Sequence, residues 1–123
     1  MEGFIQHRIV TVEDALARMA NRKPLYARLL GNFLADPREN ELIAAIEGRD
    51  LDAAVMAAHT VKGMASNLSL TRLHKCAEAL EGMFKQAKTD GDSGVFDSAC
   101  AAEVRQVFRD TVDAVAAVIP TLQ

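Results

Sequence analysis

His59, Lys62 and Gly63 stand at i, i+3 and i+4 in a stretch, Asp50 to Asn67, that reads as one helix. A helix turns about 100° per residue, so the three share a face. With His59 at zero on that wheel, Ala54, Ala57, Val61 and Leu68 fall within about 40° of the far pole. Leu51, Ala58 and Ala65 lie on one flank of the same arc. These small residues suit close helix packing, so the wheel predicts that His59 points away from the core. Asp52, Val55, Met56, Lys62, Gly63 and Ser66 surround it.

The residue types define a chemistry. A neutral imidazole nitrogen is a nucleophile at physiological pH. Lys62, one turn away, disfavours imidazolium and so favours the nucleophilic form. The same ammonium can pair with phosphoryl oxygens once a phosphoryl group is attached. Gly63 in a helix interior costs about 1 kcal/mol relative to Ala, a local rule broken without visible structural gain. Its missing side chain leaves room for an incoming protein loop. Ser66, a further turn along, either donates to phosphoryl oxygens or is merely solvated. Val55 and Met56 add apolar area beside the histidine and, with Asp52, form a candidate docking surface.

The elements that must hold this helix read as helices too. Apolar residues recur at spacings of three and four, with no sustained alternation. A first helix is predicted from Thr11, with Thr11 as cap, Asp14 completing a weak capping box, and Leu16, Met19 and Ala20 inward. Pro24 suits the first turn of a second, which carries Tyr26, Leu29, Leu30, Phe33 and Leu34. Asp36-Pro37 breaks or kinks it. Glu39 to Glu47 continues with Leu42, Ile43 and Ile46 inward, and Gly48 is a stop signal. Asp50 is a candidate N-cap for the His59 helix, Asn67 a left-handed terminus, and Ser69 a cap for the next helix. That helix carries Leu73, Cys76, Ala77, Leu80 and Phe84. The last, after a polar loop at 89–94, carries Phe96, Cys100, Val104, Val107, Phe108, Thr111, Val115 and Val118. Short connections between long amphipathic helices predict an all-α, antiparallel bundle. The loop at Asp90 fails as a calcium site, because its twelfth position is Ala101 and not a glutamate.

Composition narrows the function. The chain has 123 residues, enough for one domain, here taken as 1–123 with an N-terminal arm at 1–10. Its net charge of −3 argues against nucleic acid or an anionic membrane as main partner. Aromatics make up 5% with no Trp, so few rings could stack on bases. No apolar run spans a bilayer or reads as a signal peptide, and a cytoplasmic location is expected. Cys76 and Cys100 lack metal-site spacing and read as small hydrophobes, so no metal ligand is assigned. The Phe4-Ile5 and Ile9-Val10 pairs predict that the arm packs on the bundle or a neighbour.

The stretch Ala58 to Glu81, AHTVKGMASNLSLTRLHKCAEALE, resembles the signature of histidine-containing phosphotransfer (HPt) domains. His59, Lys62, Gly63, Ala65, Asn67, Leu73, Ala77, Leu80 and Glu81 fit its pattern. Upstream, ALARMANRKPLYARLLGNFLAD is similar to the family's opening helices, and the resemblance covers roughly residues 12–118. Ser69 departs from the Gly that many members carry there, and Gly82 is a second glycine inside a helix without a functional account. The resemblance implies a four-helix bundle with one or two accessory N-terminal helices. It implies that His59 accepts a phosphoryl group, at Nε2, from a receiver-domain aspartyl phosphate and passes it to another receiver. Response-regulator receivers, and a hybrid sensor kinase of which this chain could be the terminal module, are the implied partners. The Mg²⁺ of the reaction then belongs to the receiver, and this chain has no cofactor of its own. Nothing resembles a P-loop, so a phosphocarrier is expected and not an ATP-using enzyme. A monomer is expected.

Two other readings compete. One is a helical interaction module whose His59 is an inert surface residue, the usual state of an exposed histidine. The other is a hydrolase, but only Ser66 lies near His59 as a partner and no oxyanion loop is apparent. His7 and His74 lack comparable context; Lys75 follows His74, but no glycine does.

Overall fold

The computed structural model describes residues 9–91 and 94–123, and the Phe4-Ile5 pair, His7 and the middle of the 89–94 loop lie outside them. Among the described residues six α-helices follow in order: α1 (Val12–Arg18), α2 (Lys23–Ala35), α3 (Glu39–Glu47), α4 (Leu51–Leu68), α5 (Thr71–Asp90) and α6 (Ser98–Val118). Short 3-10 turns cover Gly94–Phe96 and Ile119–Leu122. The described residues contain no strand.

Helices α3, α4, α5 and α6 close a ring, each touching the next and α6 returning to α3. This is the expected four-helix bundle. Its tightest seam is between α4 and α5, where Ala54, Ala58 and Ala65 are fully buried and let the backbones approach. The two run antiparallel: Asp52 pairs with Lys88, and two turns on along α4, His59 meets Glu81 two turns back along α5. The far side of α5 stacks Phe84 on Phe96, with ring centroids 5.4 Å apart. Phe108, Val104, Thr111 and Val115 of α6 complete the core. Thr111 satisfies its buried hydroxyl by donating to the Val107 carbonyl. The accessory helices α1 and α2 lie outside the ring, with α2 touching α4, α6 and the C-terminal turn.

The helix boundaries follow local chemistry, with some departures from the sequence reading. Asp50 caps α4 as predicted, accepting from the Ala53 N–H at 3.1 Å. Asp36-Pro37 separates α2 from α3, with Arg38 in the left-handed region. Thr11 does not cap α1; its hydroxyl bonds Thr71 instead, tying α1 to the start of α5. α1 stops at Arg18, leaving Met19 half-buried and Ala20 exposed at positive φ, so its inner face is Ala15 and Leu16. Gly48 is the C-cap that ends α3, as predicted, and Arg49 after it takes the left-handed conformation. After α4 the left-handed residue is Ser69 and not Asn67, and Ser69 does not cap α5.

That last position explains the chain's departure from the family pattern. A left-handed residue favours Gly, and a serine there needs compensation. Ser69 receives a hydrogen bond from Arg18 at 2.7 Å and donates one to Asp14 at 2.8 Å. The Arg18 guanidinium also donates to the carbonyls of Ser66 and Asn67, and the Tyr26 hydroxyl donates to that of Leu68. The carbonyls of Asn67 and Leu68 thus find side-chain donors on α1 and α2, and that of Ser66, which also accepts the Ser69 N–H at 3.2 Å, gains a second donor. The arginine's charge also complements the negative end of the helix. The accessory helices therefore fix the end of the helix that carries His59.

Candidate functional site

Helix α4 turns its small-residue face inward. Ala54, Ala58, Val61 and Ala65 have no exposed surface, whereas Ala57, placed at the far pole by the wheel, is half-buried. The true core face is rotated toward the α5 side because that is the closest neighbour. The His59 side chain remains 66% exposed, as predicted.

His59 is not isolated. Its Nδ1 lies 3.0 Å from Oε2 of Glu81, a side chain only 6% exposed. Oε1 of Glu81 is 2.6 Å from Lys62 Nζ, and Oε2 is also 3.1 Å from Lys85 Nζ. The hydrogen bond from Lys62 does most to hold the Glu81 carboxyl down at about 2; burial opposes it, and Lys85 and His59 add to it. Glu81 is therefore an anion throughout the physiological range and can only accept hydrogen bonds. Facing that acceptor, Nδ1 carries the proton of the neutral imidazole, and Nε2 is left with the lone pair.

This changes the expected role of Lys62. The sequence reading set its ammonium against the imidazole, but it reaches across to α5 and neutralises Glu81. Sequence reasoning also missed Glu81 and Lys85 as site residues. Glu81 entered only as the last letter of a pattern, although it interrupts the apolar row Leu73, Ala77, Leu80 and Phe84. Lys85 sits one turn beyond Glu81, at the spacing of a helical ion pair.

The other predicted residues spread around His59. An added Cβ at Gly63 would meet nothing within 4 Å, so no packing demand requires glycine there. Gly82 on α5 is equally open. Met56 is 69% exposed, an unusual placement for a large apolar side chain, and Val55 is half-buried. Asp52 is held by Lys88 at 2.5 Å. Ser66 is exposed, and its backbone carbonyl is engaged by Arg18. His74 is half-buried on α5, and its backbone N–H continues the helix from Leu70.

On the Gly63 side of α4 a groove of about 720 Å³ opens between α1, α2 and α4. Leu29, Phe33, Met64 and Leu68 line its floor, and Arg18 and Arg38 stand on its walls. Burial pushes the Cys76 thiol up to about 11 and raises Cys100 as well, so both stay protonated at neutral pH, as the hydrophobe reading expects. Among the described residues no cluster of three or more His, Cys, Asp or Glu could hold a metal ion, and no helix is long and apolar enough to cross a membrane.

The arrangement can do one thing well: present an imidazole whose Nδ1 is held by a carboxylate at an open surface, beside two cations. The family model of the Hpt domain matches residues 28–118. No curated protein and no solved structure matches the chain.

Proposed function

We propose, for a chain that belongs to the Hpt domain family and thus takes part in histidine phosphotransfer within a phosphorelay, that His59 is the residue that carries the phosphoryl group. One observation supports this most: Nδ1 of an otherwise exposed imidazole is bonded to a buried carboxylate, which reserves Nε2 for chemistry. The partner is a receiver domain, the class of protein with which Hpt domains exchange phosphoryl groups.

The step balances within the two proteins. The Nε2 lone pair attacks the phosphorus of the receiver's aspartyl phosphate. The P–O bond breaks, and the aspartate leaves with its electron pair as a carboxylate. The ring, with Nδ1–H retained, becomes an N-phosphoimidazolium whose new positive charge faces Glu81. Positioning and charge stabilisation carry such transfers, because the phosphoryl group itself needs little covalent help. Lys62 and Lys85, both bonded to the carboxylate that holds the ring, are the cations assigned to serve the phosphoryl oxygens. Gly63 and the exposed Met56, with Val55, leave an open approach for the receiver, and Ser66 lies at its margin. The Mg²⁺ that assists belongs to the receiver, and this chain acts as a carrier that binds no nucleotide.

The test is incubation with phosphorylated receiver domains from the same organism. The expected result is a label on this chain that is labile in acid and stable in base, present in the wild type and absent from His59→Gln. A wild type that stays unlabelled with every receiver would return His59 to an inert surface residue.

A further inference from the structure

We propose that Glu81 governs how readily the phosphorylated chain gives up its phosphoryl group, by holding the Nδ1 proton with a full negative charge and so keeping the phosphorylated ring in its imidazolium form. This rests on the reading of His59 as the acceptor.

The argument begins with what a tautomer lock requires. A neutral oxygen, such as a backbone carbonyl or carboxamide, would orient the ring and fix its proton as well as a carboxylate does. Here the acceptor is a carboxylate, 6% exposed, kept ionised by two lysines. Burying a charge is unfavourable unless it is paired, so the site maintains an anion that tautomer selection alone does not need.

The anion matters once the ring is charged. The nucleophilic form of the ring before phosphorylation is the neutral one, and its bond to Glu81 is singly charge-assisted. After phosphorylation the protonated ring is a cation, and the same 3.0 Å contact becomes an ion pair with water largely excluded from the carboxylate. That difference favours the imidazolium over the deprotonated phosphoimidazole. The imidazolium is the reactive form: when its N–P bond breaks, the electron pair returns to nitrogen and a neutral imidazole departs. The deprotonated form would have to expel an imidazolate, a much poorer leaving group. Glu81 thus raises the donor strength of the phosphorylated chain and lowers its resistance to hydrolysis.

Other charges modulate this effect. On α4, Lys62 binds Oε1 and Asp52 is taken up by Lys88. On α5, Lys85 shares Oε2 with the imidazole and Glu78 lies on the exposed face one turn before Glu81. Toward α1, Arg18 is engaged by Asp14, Ser69 and the end of α4. Among the described residues only Glu81 is bonded to the ring. Lys85 draws on the same oxygen as the ring, so its removal leaves more of the carboxylate's charge to Nδ1–H.

Two substitutions give opposite signs. Glu81→Gln retains an oxygen acceptor and the side-chain shape but removes the charge. Lys85→Ala removes a side chain that is 61% exposed and leaves Glu81 in place. Wild type and both variants are labelled with a phosphorylated receiver or with phosphoramidate, separated from the donor, and followed for loss of phosphohistidine from pH 5 to 9. Circular dichroism verifies the fold of each. The midpoint at which lability falls off should drop by about one pH unit in Glu81→Gln, equivalent to about tenfold longer life on the alkaline side. In Lys85→Ala the midpoint should rise. A purely structural role for Glu81 would change yield or melting without moving the midpoint. Coincident profiles for wild type and Glu81→Gln would overturn the proposal while leaving His59 as acceptor. An unlabelled wild type would instead overturn the reading on which it rests.

Discussion

Helix α4 has two flanks, and they differ in kind. On the α5 side lie Lys62, the buried Glu81 and Lys85, bonded to one another and to His59. On the other side lie Gly63 and Met56, then a groove floored by Leu29, Phe33 and Met64. One flank sets the electronic state of the imidazole. The other sets what can approach it. A bundle can separate these tasks because α4 packs most closely on α5; on its opposite flank α2 makes only light contact and leaves space. Chemistry and access can then be perturbed one at a time.

The largest expected effect comes from His59→Gln, which removes the group the two flanks share. Phosphoryl acceptance should vanish while thermal unfolding stays near wild type, because the side chain is 66% exposed. Transfer persisting in the variant, or a large fall in melting temperature, would break the comparison at its centre.

Next comes the access flank. Gly63→Gln should slow transfer from a phosphorylated receiver, by about tenfold if it displaces a contact worth about 1.4 kcal/mol. Labelling by phosphoramidate, which needs no protein docking, should change much less. The fold should be at least as stable, since replacing a helical Gly can gain up to about 1 kcal/mol and no neighbour lies within 4 Å of the added Cβ. Equal slowing with both donors would assign Gly63 to the chemistry of the other flank.

Lys62→Ala perturbs the electronic flank and should act with both donors alike. We expect transfer slowed several-fold, a shorter life for the phosphohistidine, and labelling retained. Lys62 is itself partly exposed, and Lys85 still balances Glu81, so the effect is modest. Rates and lifetimes equal to wild type would make Lys62 a solubilising residue only.

The smallest effect is on stability against pH. Glu81 titrates at about 2 in the fold against 4.5 ordinarily. A depressed carboxyl contributes stability that is fully present above its unfolded value and is lost as pH falls through its folded value. Urea midpoints for the wild type should therefore decline from about pH 4.5 toward 2, and Glu81→Gln should flatten that part of the curve. Parallel curves would mean that Glu81 is no better paired in the fold than in the unfolded chain.

The flank facing outward was legible in the sequence because helical periodicity is local. The exposed His59, the open Gly63, the Asp50 cap and the break at Asp36-Pro37 all follow from residues within a turn or two. The electronic flank was not legible, because it depends on how α4 and α5 slide against each other. Twenty-two residues separate His59 from Glu81, and only the hairpin's register makes them neighbours. The partner of Lys62 was hidden for the same reason: its nearest sequence neighbour on that face is His59, but its bond is to the adjacent helix. Ser69 shows a third limit. Its left-handed backbone is supported by Arg18 and Asp14, more than fifty residues upstream. No pattern within the α4–α5 turn contains that information.

The most direct test concerns the atom. If Glu81 reserves Nδ1, the phosphoryl group must reside on Nε2 of His59. Phosphorus-31 to proton correlation spectra of the labelled chain distinguish the two nitrogens. A group on Nε2 lies three bonds from both ring carbon protons and correlates with each. A group on Nδ1 correlates with Hε1 and lies too many bonds from Hδ2. The account predicts both correlations, on the ring protons assigned to His59. A signal on Hε1 alone, or on the ring of His7 or His74, would contradict it.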